Sequence, residues 1–329
     1  MTSFKALFLN SKPTFSSEIR LTSLDENPNP GEVEIRVEWS GVNYKDGLAV
    51  SNTGKIIRGA FPFVPGIDLA GVVESSSNPE FSPGDRVLST GWGLGESIWG
   101  GYAQYQRLPA HNLIKIPTAL STRDAMIIGT AGFTAMLGVL EIENGPGSKD
   151  GVFVVTGATG GVGSFSVLAL AAAGLQVTAV TGKSDSHDYL KELGASSILD
   201  RNELSGGAKT LLDSAKWAGC IDSVGSTTLE AIISQTARHG TIAACGLAAG
   251  PKLNTSVYPF ILRGVRLIGI DSNTCPNAVR KLAWQRLSEV ANQFDLNKIA
   301  HEITLEAVPE ACRQLMNGMV TGRYVVNLA

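Results

Sequence analysis

The segment Val154-Val155-Thr156-Gly157-Ala158-Thr159-Gly160-Gly161-Val162-Gly163 constrains this chain more than any other. An apolar run ends on glycines, and an apolar helical pattern follows. The glycines permit a tight turn and let the backbone approach a bound group closely. The helix that follows presents unpaired N–H groups and a partial positive charge to an anion. A glycine motif alone is weak, but strand, turn and helix in this order are the context a dinucleotide's diphosphate requires. From Gly151 onward apolar strands alternate with helices. Strands are expected at 152–156, 176–180, 197–199, 220–223, 241–244 and 265–270, and helices at 162–173 and 186–193. Repeated strand–helix units predict a parallel, doubly wound α/β sheet of the Rossmann type.

The end of the second strand selects the cofactor. NAD-binding turns usually place Asp or Glu there to hold the ribose hydroxyls. This chain has Thr181-Gly182-Lys183-Ser184, and no carboxylate appears before Asp185. A carboxylate repels a 2′-phosphate and a lysine attracts it. Arg201, just past the third strand, adds a second cation with fork geometry. The residues therefore point to NADPH; solvated surface charge is the competing reading of Lys183 and Arg201.

The first third of the chain reads as β. Residues 32–38 alternate charged and apolar side chains, the pattern of a half-buried strand. Shorter β-prone runs at 71–73, 86–88 and 102–107 are separated by Pro/Gly turn clusters at 27–31 and 82–85, which suggests a barrel or sandwich. Ser121 and Asp124 have capping-box spacing, and Ala125, Met126 and Ile128 begin a helical pattern. The tail reads as a helix at 306–316 and a strand at 323–328. With 329 residues the chain has room for two domains. The expected borders give a β-rich domain at 1–121 plus 271–329 and a dinucleotide domain at 122–270.

A net charge of −3 leaves no electrostatic footprint for nucleic acid. Cys220, Cys245, Cys275 and Cys312 are far apart and none sits in a CxxC pair, so reduced thiols in a cytoplasmic setting are expected. The apolar run at the start is too short for a secretory signal. No uninterrupted apolar stretch of about 18 residues predicts a membrane span.

Pro65-Gly66-Ile67-Asp68-Leu69-Ala70-Gly71, Pro83-Gly84-Asp85-Arg86-Val87 and Gly132-Phe133-Thr134-Ala135 together resemble the medium-chain dehydrogenase/reductase superfamily. Longer strings are similar to its acrylyl-CoA reductase branch (AcuI/YhdH), which is quinone oxidoreductase-like. They include Asn43-Tyr44-Lys45-Asp46, Gly54-Lys55-Ile56-Ile57-Arg58, Thr90-Gly91-Trp92-Gly93 and Trp99-Gly100-Gly101. So do Ala244-Cys245-Gly246-Leu247-Ala248 and Pro259-Phe260-Ile261-Leu262-Arg263. The resemblance implies a GroES-like β-rich catalytic domain formed by the N-terminal part and the tail. It also implies NADPH-dependent reduction of acryloyl-CoA to propanoyl-CoA, and a homodimer. Carried over by position, cofactor contacts fall on Tyr44, Thr159, Gly160, Gly161, Val162, Thr181, Gly182, Lys183, Arg201, Leu247, Ile261, Ser272 and Asn327. A quinone or enone reductase, and a non-catalytic NADPH-binding protein, are the rival readings.

Zinc-dependent relatives carry a Cys near the position of Asn43 and a His-Glu pair in the turn that reads Ile67-Asp68 here, so the resemblance implies no metal. His111, His187, His239 and His301 lie outside any ligand spacing. Enoyl reduction needs a donor for the thioester oxygen as charge builds on it. Tyr44 is the preferred donor, because a phenol donates while neutral; a packing or purely cofactor-holding role is the alternative. Asn43 is expected to orient ring or substrate, and Asp46 and Asp68 to make structural hydrogen bonds. Lys55 and Arg58, in a loop bounded by Gly54 and Gly59, are candidates for the CoA phosphates, with a solvated loop as the alternative. Trp92 and Trp99 are expected to wall a pocket or pack in the core.

Overall fold

The structure, a computed structural model, describes residues 3–329. Two compact units divide the chain, Met1–Thr130 with Ser272–Ala329, and Ala131–Asp271. The first border lies nine residues past the expected 121/122. The segment 122–130 belongs with the β-rich unit because Thr130 donates to Asp68 there.

The β-rich unit opens with a hairpin, β1 (Phe4–Asn10) and β2 (Ser16–Thr22). Next come β3 (Val33–Gly41), the short helix α1 (Tyr44–Val50), β4 (Asp68–Ser76), β5 (Arg86–Thr90), β6 (Tyr105–Leu108) and β7 (Ile114–Lys115). The expected strand at 102–107 starts three residues late, since Tyr102 is fully buried outside the ladder. The helix α2 (Thr122–Glu143) follows. Its capping box is present: Ser121 N donates to Asp124 Oδ2 and Asp124 N to Ser121 Oγ, both at 3.0 Å.

In the other unit come β8 (Val152–Val155), α3 (Gly161–Ala172), β9 (Gln176–Thr181), α4 (His187–Glu192), β10 (Ser197–Asp200), α5 (Asn202–Ser205), β11 (Trp217–Asp222), α6 (Ser226–Gln235), β12 (Thr236–Ala244), α7 (Tyr258–Arg263) and β13 (Arg266–Gly269). All six strands are parallel, in the order β10-β9-β8-β11-β12-β13. This is the doubly wound order, with its switch between β8 and β11. β12 begins five residues before the expected 241, because α6 runs straight into it and the register shifts around His239, which has φ +62°. Val154, Val180, Cys220, Ile232 and Ile242 fill the core of this unit.

The tail returns to the β-rich unit with α8 (Asn277–Ala291), β14 (Ala300–Thr304), α9 (Val308–Met316) and β15 (Arg323–Asn327). β15 pairs antiparallel with β3, so the tail closes the seven-stranded sheet begun near the N-terminus. Inward residues of its strands, among them Val33, Ile35, Val37, Leu69, Val87 and Val326, meet Val308, Ala311 and Cys312 of α9. α2 is the one described helix long and apolar enough to cross a membrane, and 83% of its apolar window is buried inside the fold, as in a core helix. Polar residues and glycines interrupt it, so counting uninterrupted apolar residues passed over it.

Candidate functional site

In the sheet unit the chain leaves β8 through Gly157 at φ +59°, a conformation that disfavours a side chain. A Cβ on Gly163 would collide with the Gly157 carbonyl oxygen and with Ala158. Gly160 is the N-cap of α3, and no side chain caps that end. The first-turn N–H groups of α3 therefore face outward, and Thr159, Gly160, Gly161 and Val162 form their rim. The residues fit a dinucleotide diphosphate, because the missing side chains leave the backbone bare at a helix N-terminus.

A network below the turn escaped the sequence reading. Thr156 Oγ1 donates to Asp222 Oδ1 at 2.6 Å, and Ser223 N donates to Thr156 Oγ1 at 3.1 Å. Gly225 N donates to Asp222 Oδ2 at 2.9 Å, and Cys245 N to the Asp222 carbonyl at 2.8 Å. These bonds tie together the ends of β8, β11 and β12, the edge where ligands bind in doubly wound sheets. Burial pushes the Asp222 carboxyl up, while the bonds from Thr156, Gly225 and Val224 pull it down. The available signal was an Asp at the end of an otherwise apolar strand.

Lys183 and Arg201 lie at the tips of adjacent strands β9 and β10. Arg201 N donates to the Thr181 carbonyl at 3.0 Å, and Lys183 N to Thr181 Oγ1 at 3.0 Å. The Arg201 side chain lies across Gly182, where a Cβ would strike Nε. Burial, and then the Arg201 charge, hold the Lys183 ammonium below the usual lysine range. Two cations this close disfavour each other and favour an anion between them. Leu247 and Ile261 are 53% and 68% exposed, in the loop after β12 and on α7.

In the β-rich unit a buried ion pair organises α1. Arg323 Nη2 stands 3.2 Å from Asp68 Oδ2, with side-chain exposures of 2% and 0%. Arg323 Nη1 donates to Asn43 Oδ1 at 2.9 Å, and Asn43 Nδ2 donates to Asp68 Oδ2 at 2.9 Å. Thr130 N and Oγ1 donate to Asp68, Oγ1 at 2.5 Å. Asp46 Oδ2 accepts from Asn43 N at 2.8 Å and Oδ1 from Ile67 N at 3.0 Å. Asp46 and Asp68 thus make the structural bonds expected of them. Burial, and then the Asp68 charge, push the Asp46 carboxyl up to about 7. The Asn43 side-chain amide meets Arg323, Asp68 and Asp46, so it ties the start of α1 to the buried ion pair. Arg323 was missed because nothing in the sequence links it to residues so distant.

Tyr44 opens α1, is 42% exposed, and its hydroxyl makes no hydrogen bond among the described residues. Arg58 Nη2 lies 3.6 Å from Glu96 Oε2, and Lys55 is exposed in the same loop. Ser272 uses its carbonyl to accept from Arg280 at 2.9 Å, and Asn327 donates to Glu302 at 2.9 Å. Trp99 is a core residue, edge-on to Phe8 at 5.1 Å, and Trp92 stacks under Arg280 at 5.2 Å. No group of three or more His, Cys, Asp or Glu among the described residues could hold a metal ion.

A parallel sheet with this switch point and glycine turn, joined to a β-rich unit closed by the tail, defines a dinucleotide-dependent dehydrogenase/reductase class. The model for an alcohol dehydrogenase GroES-like domain matches residues 29–118, and that for a zinc-binding dehydrogenase matches residues 161–289. The Escherichia coli protein named "Probable acrylyl-CoA reductase AcuI" is 47% identical, over 93% of this chain and 94% of that one. Acrylyl-CoA reductase AcuI of Ruegeria pomeroyi is 44% identical, over 94% of each. The crystal structure of the yhdH oxidoreductase from Salmonella enterica in complex with NADP has TM-score 0.95 and 45% identity, covering 99% of this chain and 100% of that one. The chain belongs to the acrylyl-CoA reductase (AcuI/YhdH) branch of the medium-chain dehydrogenase/reductase family.

Proposed function

We propose that this chain is an NADPH-dependent oxidoreductase that reduces the 2,3-double bond of acryloyl-CoA to propanoyl-CoA without a metal ion. The observation that carries the reading is its similarity, along nearly its whole length, to relatives named for that reaction. When bound, NADPH supplies the hydride that adds to the β-carbon, and a proton from solvent adds to the α-carbon to complete the saturated thioester. The backbone of residues 157–163 holds its diphosphate, and Lys183 with Arg201 takes the 2′-phosphate. Leu247, Ile261, Ser272 and Asn327 remain proposed contacts. Tyr44 donates its free hydroxyl to the thioester oxygen as negative charge builds there. Arg323 and Asp68 fix Asn43, and Asn43 fixes the start of α1 that carries Tyr44. Asn43 and Asp68 answer to each other and to Arg323, which leaves them poorly placed to serve as zinc ligands.

The active form is a homodimer in this reading. The outer edge of β13 has no strand partner among the described residues, and Val257, Ile261 and Leu262 of the same unit are exposed. All four cysteines are free thiols, which suits a reducing cytoplasmic setting.

The test follows NADPH oxidation with acryloyl-CoA, crotonyl-CoA and a quinone, with and without a chelator. Turnover of the thioesters that a chelator leaves intact is expected. Tyr44→Phe should lower kcat about a hundredfold, the usual effect of losing an oxyanion donor. Full kcat in that variant removes the donor role, and preference for the quinone removes the substrate assignment.

A further inference from the structure

We infer that Lys45, Lys55 and Arg58 form a phosphate-binding surface for the nucleotide end of the CoA thioester, with Glu96 as the residue that positions it. The inference rests on the reductase reading and adds to it the part of the chain that recognises the substrate's anionic half. Glu96 lies in the loop after β5, and its side chain is only 4% exposed. A carboxylate buried that deeply needs compensation. It receives two cations, one on each oxygen: Lys45 Nζ at 2.8 Å on Oε1 and Arg58 Nη2 at 3.6 Å on Oε2. The Glu96 carbonyl also accepts from Arg58 N at 2.7 Å and Gly59 N at 3.2 Å, so the same residue fixes the loop that carries Arg58.

The result is a built cationic surface. Glu96 sets the spacing of an ammonium and a guanidinium, and the Arg58 side chain stays 70% exposed. Only one edge of that guanidinium faces Glu96, so most of its five N–H donors remain available. Lys55 is exposed and forms no ion pair among the described residues. The only carboxylate between residues 44 and 59 is Asp46, which is 1% exposed and turned toward Asn43 and Ile67. Lys45 and Arg58 therefore share one buried counter-charge and Lys55 adds a cation, unpaired among the described residues, in the same loop, beginning one residue after Tyr44. A substrate whose reacting alkene meets Tyr44 and whose phosphates lie beyond a pantetheine arm presents its negative charge to such a surface. Whether the diphosphate or the 3′-phosphate seats there, the recognising chemistry is the same.

Calorimetric titration of the NADP-loaded protein with CoA, 3′-dephospho-CoA and pantetheine tests this, alongside acryloyl-CoA turnover. CoA should bind at least about tenfold more tightly than pantetheine, and Lys55→Ala and Arg58→Ala should each weaken CoA by about five- to tenfold. Dephospho-CoA binding like CoA assigns the diphosphate, and binding like pantetheine assigns the 3′-phosphate. Glu96→Gln should weaken CoA more than NADPH, whereas a merely structural role would weaken both alike. Equal binding of CoA and pantetheine, or equal losses for both in the variants, overturns the surface while leaving the reductase reading standing. Protein that binds CoA as expected yet leaves acryloyl-CoA unreduced supports the surface and overturns the reading.

Discussion

In the proposed reading, two side chains, Lys183 and Arg201, set cofactor choice. Both sit where consecutive strands end, and the Arg201 guanidinium is laid over Gly182 by the absence of a side chain there. Lys183→Glu places a carboxylate beside a 2′-phosphate and should lower kcat/KM with NADPH about a hundredfold. The value with NADH should change far less, and equal losses would remove these residues from the phosphate pocket. Their positions were legible because apolar strands fix where strand tips fall. Arg323, Asn43 and Asp68 were not legible as a unit. Arg323 and Asn43 are 280 residues apart, and a charge that is destined for burial looks like any other charge in the sequence.

At the scale of elements, α2 is the clearest case of local rules yielding to a site. It contains Gly129 at φ +48° and ψ −158°, which no helix interior holds. The break frees Thr130 N to donate to Asp68, and a Cβ on Gly129 would overlap the Asp68 carboxylate. Gly129→Ala should destabilise the protein by about 1–3 kcal/mol from backbone strain alone. The collision with the ion pair adds to that. Denaturant unfolding that matches the wild type would show that the break is unrelated to the pair. Strands of the parallel sheet were readable to within a few residues, because their apolar runs are bounded by glycines. α1 was not, since seven residues are too few to display a helical period. α8 was readable in principle: Arg280, Ala283, Trp284 and Leu287 recur at helical spacing and are its buried face.

For the whole molecule, the buried carboxyl of Asp46 couples stability to pH. Its folded value, about 7, lies above the ordinary carboxylate value of about 3.9 in an unfolded chain. The folded state therefore binds the proton more tightly. The stabilisation this brings is complete below about pH 4 and is lost as pH rises to about 7. Asp68, Arg323, Tyr102 and Cys312 face this group, and Asp68 is the charge that raises it most after burial. Urea unfolding of wild type and Asp46→Asn between pH 5 and 8 should show a falling component in the wild type that the variant lacks. Identical slopes would mean that Asp46 titrates normally. The two-unit organisation was legible from the change of pattern after residue 121, but the border moved to 130 because Asp68 captures Thr130.

The pairing of β15 with β3 sets an order of assembly. The sheet unit, 131–271, is an insertion within the β-rich one, so a chain emerging from the ribosome completes its inner unit first. Until residue 323 has been made, the Asp68 carboxylate lacks the Arg323 guanidinium and the end of β3 at Trp39–Gly41 lacks its β15 partner, while β6 already pairs residues 33–36. The β-rich unit is thus the last to finish folding, held back until its late-arriving tail supplies α9 and β15.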